Sequence, residues 1–153
     1  MIIHIDSASR PNIGPQLAKP HTVLKLNGLQ ILIVEDDYFI AGSHRSTIEE
    51  AGGTVIGPAR SGEEAIKLTK THRPDLILMD IQLAGNIDGI DAAERILADN
   101  RIPIIFVTGS SDPAVVDRIH ALGNPPTVFK PAAPEELVAA VSKVCRRPKI
   151  ILC

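Results

Sequence analysis

Four apolar runs, each stopped by a polar residue of distinct chemistry, set the pattern of this chain. Residues 29–34 are apolar apart from Gln30 and run into the acidic triplet Glu35-Asp36-Asp37. Leu76-Ile77-Leu78-Met79 stops at Asp80, Ile104-Ile105-Phe106-Val107 at Thr108, and Thr127-Val128-Phe129 at Lys130. Short runs of this kind read as parallel strands buried on both faces. Between them the apolar period lengthens to that of helices.

The predicted strands cover 29–35, 54–58, 76–79, 102–107 and 127–129. The first helix spans 38–51 and stops at Gly52-Gly53. Ser61, with Glu64 three residues on, reads as a capping box that opens a second helix reaching His72. A third helix covers 89–98. Asp112-Pro113 supplies the N-cap and first position of a fourth, which ends near Gly123. The fifth covers 134–145, with Leu137, Val138, Val141 and Val144 on one face. Five strand–helix repeats predict an α/β fold, a doubly wound parallel sheet with helices on both faces. Right-handed crossovers leave few topologies. The flavodoxin-like order 2-1-3-4-5 sets the first and third strand tips side by side, at the edge where such sheets bind ligands.

Size and charge narrow the function. A chain of 153 residues with a hydrophobic fraction of 44% fits one soluble domain. Residues 1–27 carry three basic side chains against Asp6, a net of +2, which leaves −4 for the remainder of a chain whose net charge is −2. That balance argues against direct DNA binding. Proline and glycine punctuate residues 1–27, which read as a flexible extension with a short strand at 2–5. The domain itself is expected at 28–147, with a tail at 148–153. Cys145 and Cys153 form no disulfide framework and suggest reduced thiols in the cytoplasm. No apolar stretch approaches the ~18 residues that span a bilayer.

The strand-end residues carry the chemistry. Glu35, Asp36 and Asp80 at one sheet edge repel by several kcal/mol unless a counter-charge is present; two charges ~4 Å apart cost ~4 kcal/mol at an effective dielectric of ~20. A hard, oxygen-seeking divalent cation such as Mg2+ relieves this, and the set lacks the His and Cys ligands that zinc favours. A carboxylate can accept a phosphoryl group as an acyl phosphate. Asp80 stands singly at a central strand tip and is the candidate nucleophile. Lys130 and Thr108 are placed to cover phosphoryl oxygens. His44, His72 and His120 share no metal spacing and read as solvated or capping residues. Val115, Ile119 and Leu122 lie on one face of the fourth helix, by default packed inward.

Taken together, residues 31–37, Leu76 to Asp80, Asp88-Gly89, Val107-Thr108-Gly109 and Phe129-Lys130-Pro131 resemble the receiver domain of two-component response regulators. The resemblance covers residues 29–146. It implies that Asp80 accepts phosphate from a sensor histidine kinase or a histidine phosphotransfer protein. It implies Mg2+ held by Asp36, Asp80 and the Gln82 backbone carbonyl, with Glu35 acting through a metal-bound water and Asp37 a neighbour or helix cap. Lys130 would pair with Asp80 and then with phosphate, across a cis Lys130–Pro131 bond. Two features depart from the family. Thr127 stands where an aromatic ring often swings inward on activation, and the loop 81–86 lacks the usual proline. The Phe106-Val107-Thr108-Gly109 stretch is similar to a stand-alone subgroup with a Phe-x-Thr-Gly signature.

The implied output is a shifted surface on the fourth helix, fifth strand and fifth helix that binds an unknown downstream protein or a second copy. Gln82 and Ser110 flank the acceptor, where a side chain can steer hydrolytic water. On this reading the chain is a phosphoacceptor in a phosphorelay, not an enzyme. Two other readings stay open. One is a receiver-shaped docking module that is never phosphorylated. The other is an aspartyl-nucleophile phosphatase, weakened because Gln82 stands where such enzymes place a second acid. A dinucleotide-binding site is excluded, since no Gly-x-Gly-x-x-Gly follows the first strand.

Overall fold

The computed structural model describes residues 26–145. Ten elements alternate along them: β1 (Gln30–Val34), α1 (Tyr38–Glu50), β2 (Thr54–Ala59), α2 (Gly62–His72), β3 (Leu76–Met79), α3 (Gly89–Asp99), β4 (Ile104–Thr108), α4 (Pro113–Ala121), β5 (Thr127–Phe129) and α5 (Pro134–Val144). All five strands are parallel, in the order β2-β1-β3-β4-β5. The expected topology is therefore the one found. No helix among the described residues is long and apolar enough to cross a membrane. The strand expected at residues 2–5, most of the extension and the tail lie outside the described residues.

Element ends differ from expectation where local chemistry intervenes. β4 begins at Ile104 instead of residue 102. Pro103 has no N–H to give a ladder, and only its carbonyl takes part, accepting from Ile77 N–H at 3.0 Å. Ser61 accepts from Glu64 N–H as a cap should, at 3.1 Å. The Glu64 carboxylate, however, accepts from Arg60 N–H (2.9 Å), so the predicted capping box is not reciprocal. The reciprocal box opens α3 instead, formed by Asp88 and Asp91. Leu26, placed in the extension by sequence, is buried, and its N–H donates to the Ala51 carbonyl at 2.7 Å. The packed domain thus includes Leu26.

Alternation along the strands divides the core. Leu32, Val34, Ile77, Met79, Ile104 and Phe106 pack with Ala65, Ala93, Ile96 and Ile119 from α2, α3 and α4. Ile31, Ile33, Leu76, Leu78, Ile105, Val107 and Val128 pack with Ile48, Leu137 and Val141 from α1 and α5. The central strands are apolar on both faces because both faces are covered. Val115 and Leu122 are partly buried against the first of these clusters, so the α4 apolar face is turned inward.

Register then sets the site. Val34 pairs with Met79, which places Glu35 and Asp80 side by side just past the ladder. Thr108 pairs with Phe129, which brings Lys130 to the same edge. The start of α3 closes against Asp80 from below. A Cβ on Gly89 would lie 1.8 Å from the Asp80 carbonyl oxygen and 2.9 Å from Ile81 Cα. Gly89→Ala is expected to destabilise the fold by about 1–3 kcal/mol, the usual range for forced overpacking, read as a lowered urea midpoint.

Candidate functional site

At the carboxyl edge of the sheet one ammonium meets two carboxylates. Lys130 Nζ lies 2.6 Å from Glu35 Oε2 and 3.1 Å from Asp80 Oδ2. Glu35 and Asp80 are 2% and 6% exposed, so water screens this cluster poorly. The other Asp80 oxygen, Oδ1, accepts from the Ile81 N–H at 2.8 Å. Burial raises the Glu35 carboxyl to about 6, against the opposing pull of its hydrogen bond to Lys130. Burial draws the Lys130 ammonium down, but its bonds to Glu35 and Asp80 outweigh that and hold it above its ordinary value.

Asp36 completes the acidic set. One ligand oxygen from each of Glu35, Asp36 and Asp80 lies within 4.8 Å of the others. Three carboxylates against one ammonium leave two formal negative charges. A donor set of carboxylate oxygens without nitrogen or sulfur suits Mg2+ among the common cations. The residues therefore fit the ion that the chemistry implies. Asp37 takes a different part. Its Oδ1 accepts from Phe39 N–H (2.9 Å) and Ile40 N–H (3.0 Å), capping α1. The Lys130–Pro131 bond is cis, as is Gly57–Pro58.

Thr108 is buried at the tip of β4, and its hydroxyl oxygen accepts from Ser110 N–H at 3.1 Å. The Ser110 hydroxyl oxygen accepts from Asp112 N–H (3.3 Å), and Asp112 accepts from Ala114 N–H (2.9 Å) to cap α4. A ladder of side-chain-closed turns thus runs from Thr108 to α4. Ser110 is engaged in it. Gln82 is exposed, two residues past Asp80. Thr127 is half-buried, its hydroxyl donating to the Pro125 carbonyl at 3.4 Å.

Several residues were not singled out from sequence. The loop after Asp80 lacks proline but is pinned to α2: Asn86 N–H donates to Glu63 Oε1 at 3.1 Å, and Ser61 bridges Ala84. Glu63 is an ordinary surface acid by sequence, and nothing in its spacing signals this contact. Arg118 of α4 reaches Asp88 and Asp91 at the start of α3. Asp88 is buried enough to favour the neutral acid, yet the Arg118 guanidinium and the helix N–H groups hold it below the usual carboxylate range. His44 is a correction. It is not solvated but buried, on the inward face of α1, one turn from Ala41 and one turn from Ile48. Burial, with the nearby Lys130 charge, pushes its imidazole below the ordinary value. It lines a cavity of about 450 Å³ beside Lys130, with Phe39, Ile40, Ser43, Pro131 and Ala132. Phe39 is exposed, and the exposed Tyr38 ring meets it edge-on.

The fold and this pocket agree with the comparisons to known proteins. The chain belongs to the response regulator receiver domain family, whose model matches residues 31–142. It is thus of the two-component signalling class. It is similar to the transcriptional regulatory protein PdtaR of Mycobacterium tuberculosis, 32% identical over 118 residues that cover 77% of this chain and 57% of the relative. It is 37% identical to the phyllosphere-induced regulator PhyR of Methylorubrum extorquens, over 74% of this chain and 42% of PhyR. The chain spans about half the length of these relatives. Among solved structures it resembles the response regulator PhyR from Brucella abortus (33% identity, TM-score 0.66, covering 79% of this chain and 49% of that one). It also resembles the receiver domain of a modulated diguanylate cyclase from Desulfovibrio desulfuricans (36%, TM-score 0.71, 75% and 91%).

The raised Glu35 value gives a pH signature. Its folded value of about 6 lies above the unfolded 4.5. The stability this contributes is complete below pH 4.5 and disappears as the pH climbs through 6. The shift corresponds to about 2 kcal/mol. In urea unfolding with chelator present, wild type should lose about that much relative to Glu35→Gln across this interval. Parallel curves would contradict the assignment.

Proposed function

We propose that this chain is a phosphoacceptor that takes a phosphoryl group onto Asp80 and signals by a changed protein-binding surface. The observation that carries the reading is the Lys130 bridge between Glu35 and Asp80 beside Asp36. A nucleophilic carboxylate, a point positive charge and a cation-binding oxygen set are what phosphoryl transfer requires. The donor is a phosphohistidine on a kinase or phosphotransfer protein. Its P–N bond breaks, the electron pair stays on the ring nitrogen, which takes a proton, and a P–O bond forms to Asp80.

Glu35, Asp36, Asp80 and the Gln82 backbone carbonyl would hold Mg2+, which supplies neutralisation of phosphoryl charge when bound. Lys130 then moves its bond from the Asp80 carboxylate to a phosphoryl oxygen. Thr108 turns its hydroxyl hydrogen to another. The exposed Tyr38–Phe39 pair and the cavity beside Lys130 favour a protein donor over a small one, since they offer apolar area next to the acceptor. The downstream partner is a protein or a second copy of the chain.

Incubation with acetyl phosphate and magnesium should add a single hydroxylamine-labile phosphoryl group by intact mass. Asp80→Asn should abolish it, and Lys130→Met should slow it by at least ten-fold, given ~1.4 kcal/mol per decade of rate. Absence of any adduct with every donor would replace the reading with that of a docking module. A second measurement bears on the ion alone. Magnesium should raise the melting temperature of wild type, as a ligand selective for the folded state does, and should not raise that of Asp36→Asn to the same extent.

A further inference from the structure

α4 is the least firmly seated helix among the described residues. It buries Ile119 alone, whereas α1, α2, α3 and α5 each bury three or more residues. Next to Ile119, Arg118 reaches out of α4 and forks onto the start of α3. Nη1 lies 2.5 Å from Asp88 Oδ2, Nη2 lies 3.1 Å from Asp88 Oδ1, and Nη2 also lies 3.0 Å from Asp91 Oδ1. Asp88 and Asp91 are the two carboxylates of the α3 capping box. The groups that close the first turn of α3 therefore also hold α4.

The connection continues to the acceptor. Gly89 N–H donates to the Ile81 carbonyl at 2.8 Å, and Ile81 N–H donates to Asp80 Oδ1 at 2.8 Å. One contiguous set of bonds thus runs from the Asp80 carboxylate through Ile81 and the α3 cap to Arg118. Gly89 leaves little slack in it, because even a Cβ there would run into the Asp80 carbonyl oxygen. Thr127 offers no ring that could follow Thr108, and its hydroxyl is held by Pro125. An exposed fork suits a switch: ion pairs this open to water contribute little, so a small displacement at Asp80 can undo them.

We propose that Arg118 is a positioning residue that couples the acceptor to α4. Its fork holds α4 in the resting position, and phosphorylation releases it. The proposal rests on the phosphoacceptor reading above. A phosphoryl group on Asp80 disturbs the carboxylate that the Ile81 N–H now meets. The start of α3 then shifts and the fork opens.

Hydrogen exchange of residues 113–121 in the full chain, with magnesium and with or without acetyl phosphate, tests this. Without donor, Arg118→Gln should speed α4 exchange about five-fold, the effect of losing an ion pair at the upper end for exposed sites. Asp88→Asn, which still caps a helix but leaves the Asp91 contact in place, should speed it less, and the double variant should be no faster than Arg118→Gln alone. Exchange in α1 and α5 should not change, which separates release of α4 from general unfolding. Arg118→Lys keeps the charge without the fork and should fall between. With donor, α4 of wild type should speed up to the Arg118→Gln level. Arg118→Gln should take up phosphate with no further change in α4. An α4 that exchanges in Arg118→Gln as in wild type would overturn the proposal. So would an α4 that responds to phosphate in that variant as strongly as in wild type. If wild type takes up no phosphate, the phosphoacceptor reading itself falls and the coupling falls with it.

Discussion

The structure depends on one charge balance. Glu35 and Asp80 leave water at the end of two central strands, which costs several kcal/mol per ion unless each finds a partner. Lys130 partners both. It can do so only because β4 and β5 deliver it to the edge on which β1 and β3 end. The balance is incomplete, since Asp36 brings a third carboxylate to the same place. A pocket that remains negative after its internal pairing attracts a cation.

Around that core of charge, the bordering loops are lightly held. The loop that follows Asp80 has no proline to stiffen it. Glu63 and Ser61 pin it on the α2 side. On the other side it leads into the α3 cap that Arg118 grips. The β4–α4 connection is a succession of short turns closed by Thr108, Ser110 and Asp112. Each of these contacts is exposed or half-exposed and individually weak. The strands beneath, by contrast, are buried on both faces. A firmly packed sheet thus holds the strand-end side chains, and the loops that border it are held by fewer and more exposed contacts.

Much of this was legible in the residues themselves. The apolar runs and their polar ends announced β1, β3, β4 and β5, because a strand buried on both faces leaves no room for polar side chains. The cap at Asp112 was readable because a short polar side chain just before proline and a helical period has one common use. His44 reads as solvated in the sequence but is buried in the fold. A lone histidine carries no sign of its neighbours, although its spacing from Ala41 and Ile48 matched a buried face. The capping box moved from Ser61 to Asp88, since a carboxylate at the third helical position can serve either backbone N–H within its reach.

By itself the sequence determined the strand–helix alternation, the sheet order and the set of acids, hydroxyl and ammonium that meet at one edge. Local period, turn chemistry and the handedness of crossovers are short-range constraints written in neighbouring residues. Only the tertiary structure decided that Lys130 sits closer to Glu35 than to Asp80, that Glu63 pins the loop after Asp80, and that Arg118 joins α4 to α3. Those contacts join residues more than twenty positions apart through charged side chains of ordinary type. Their partners are chosen by packing and by the reach of flexible charged groups, neither of which leaves a periodic trace in the chain.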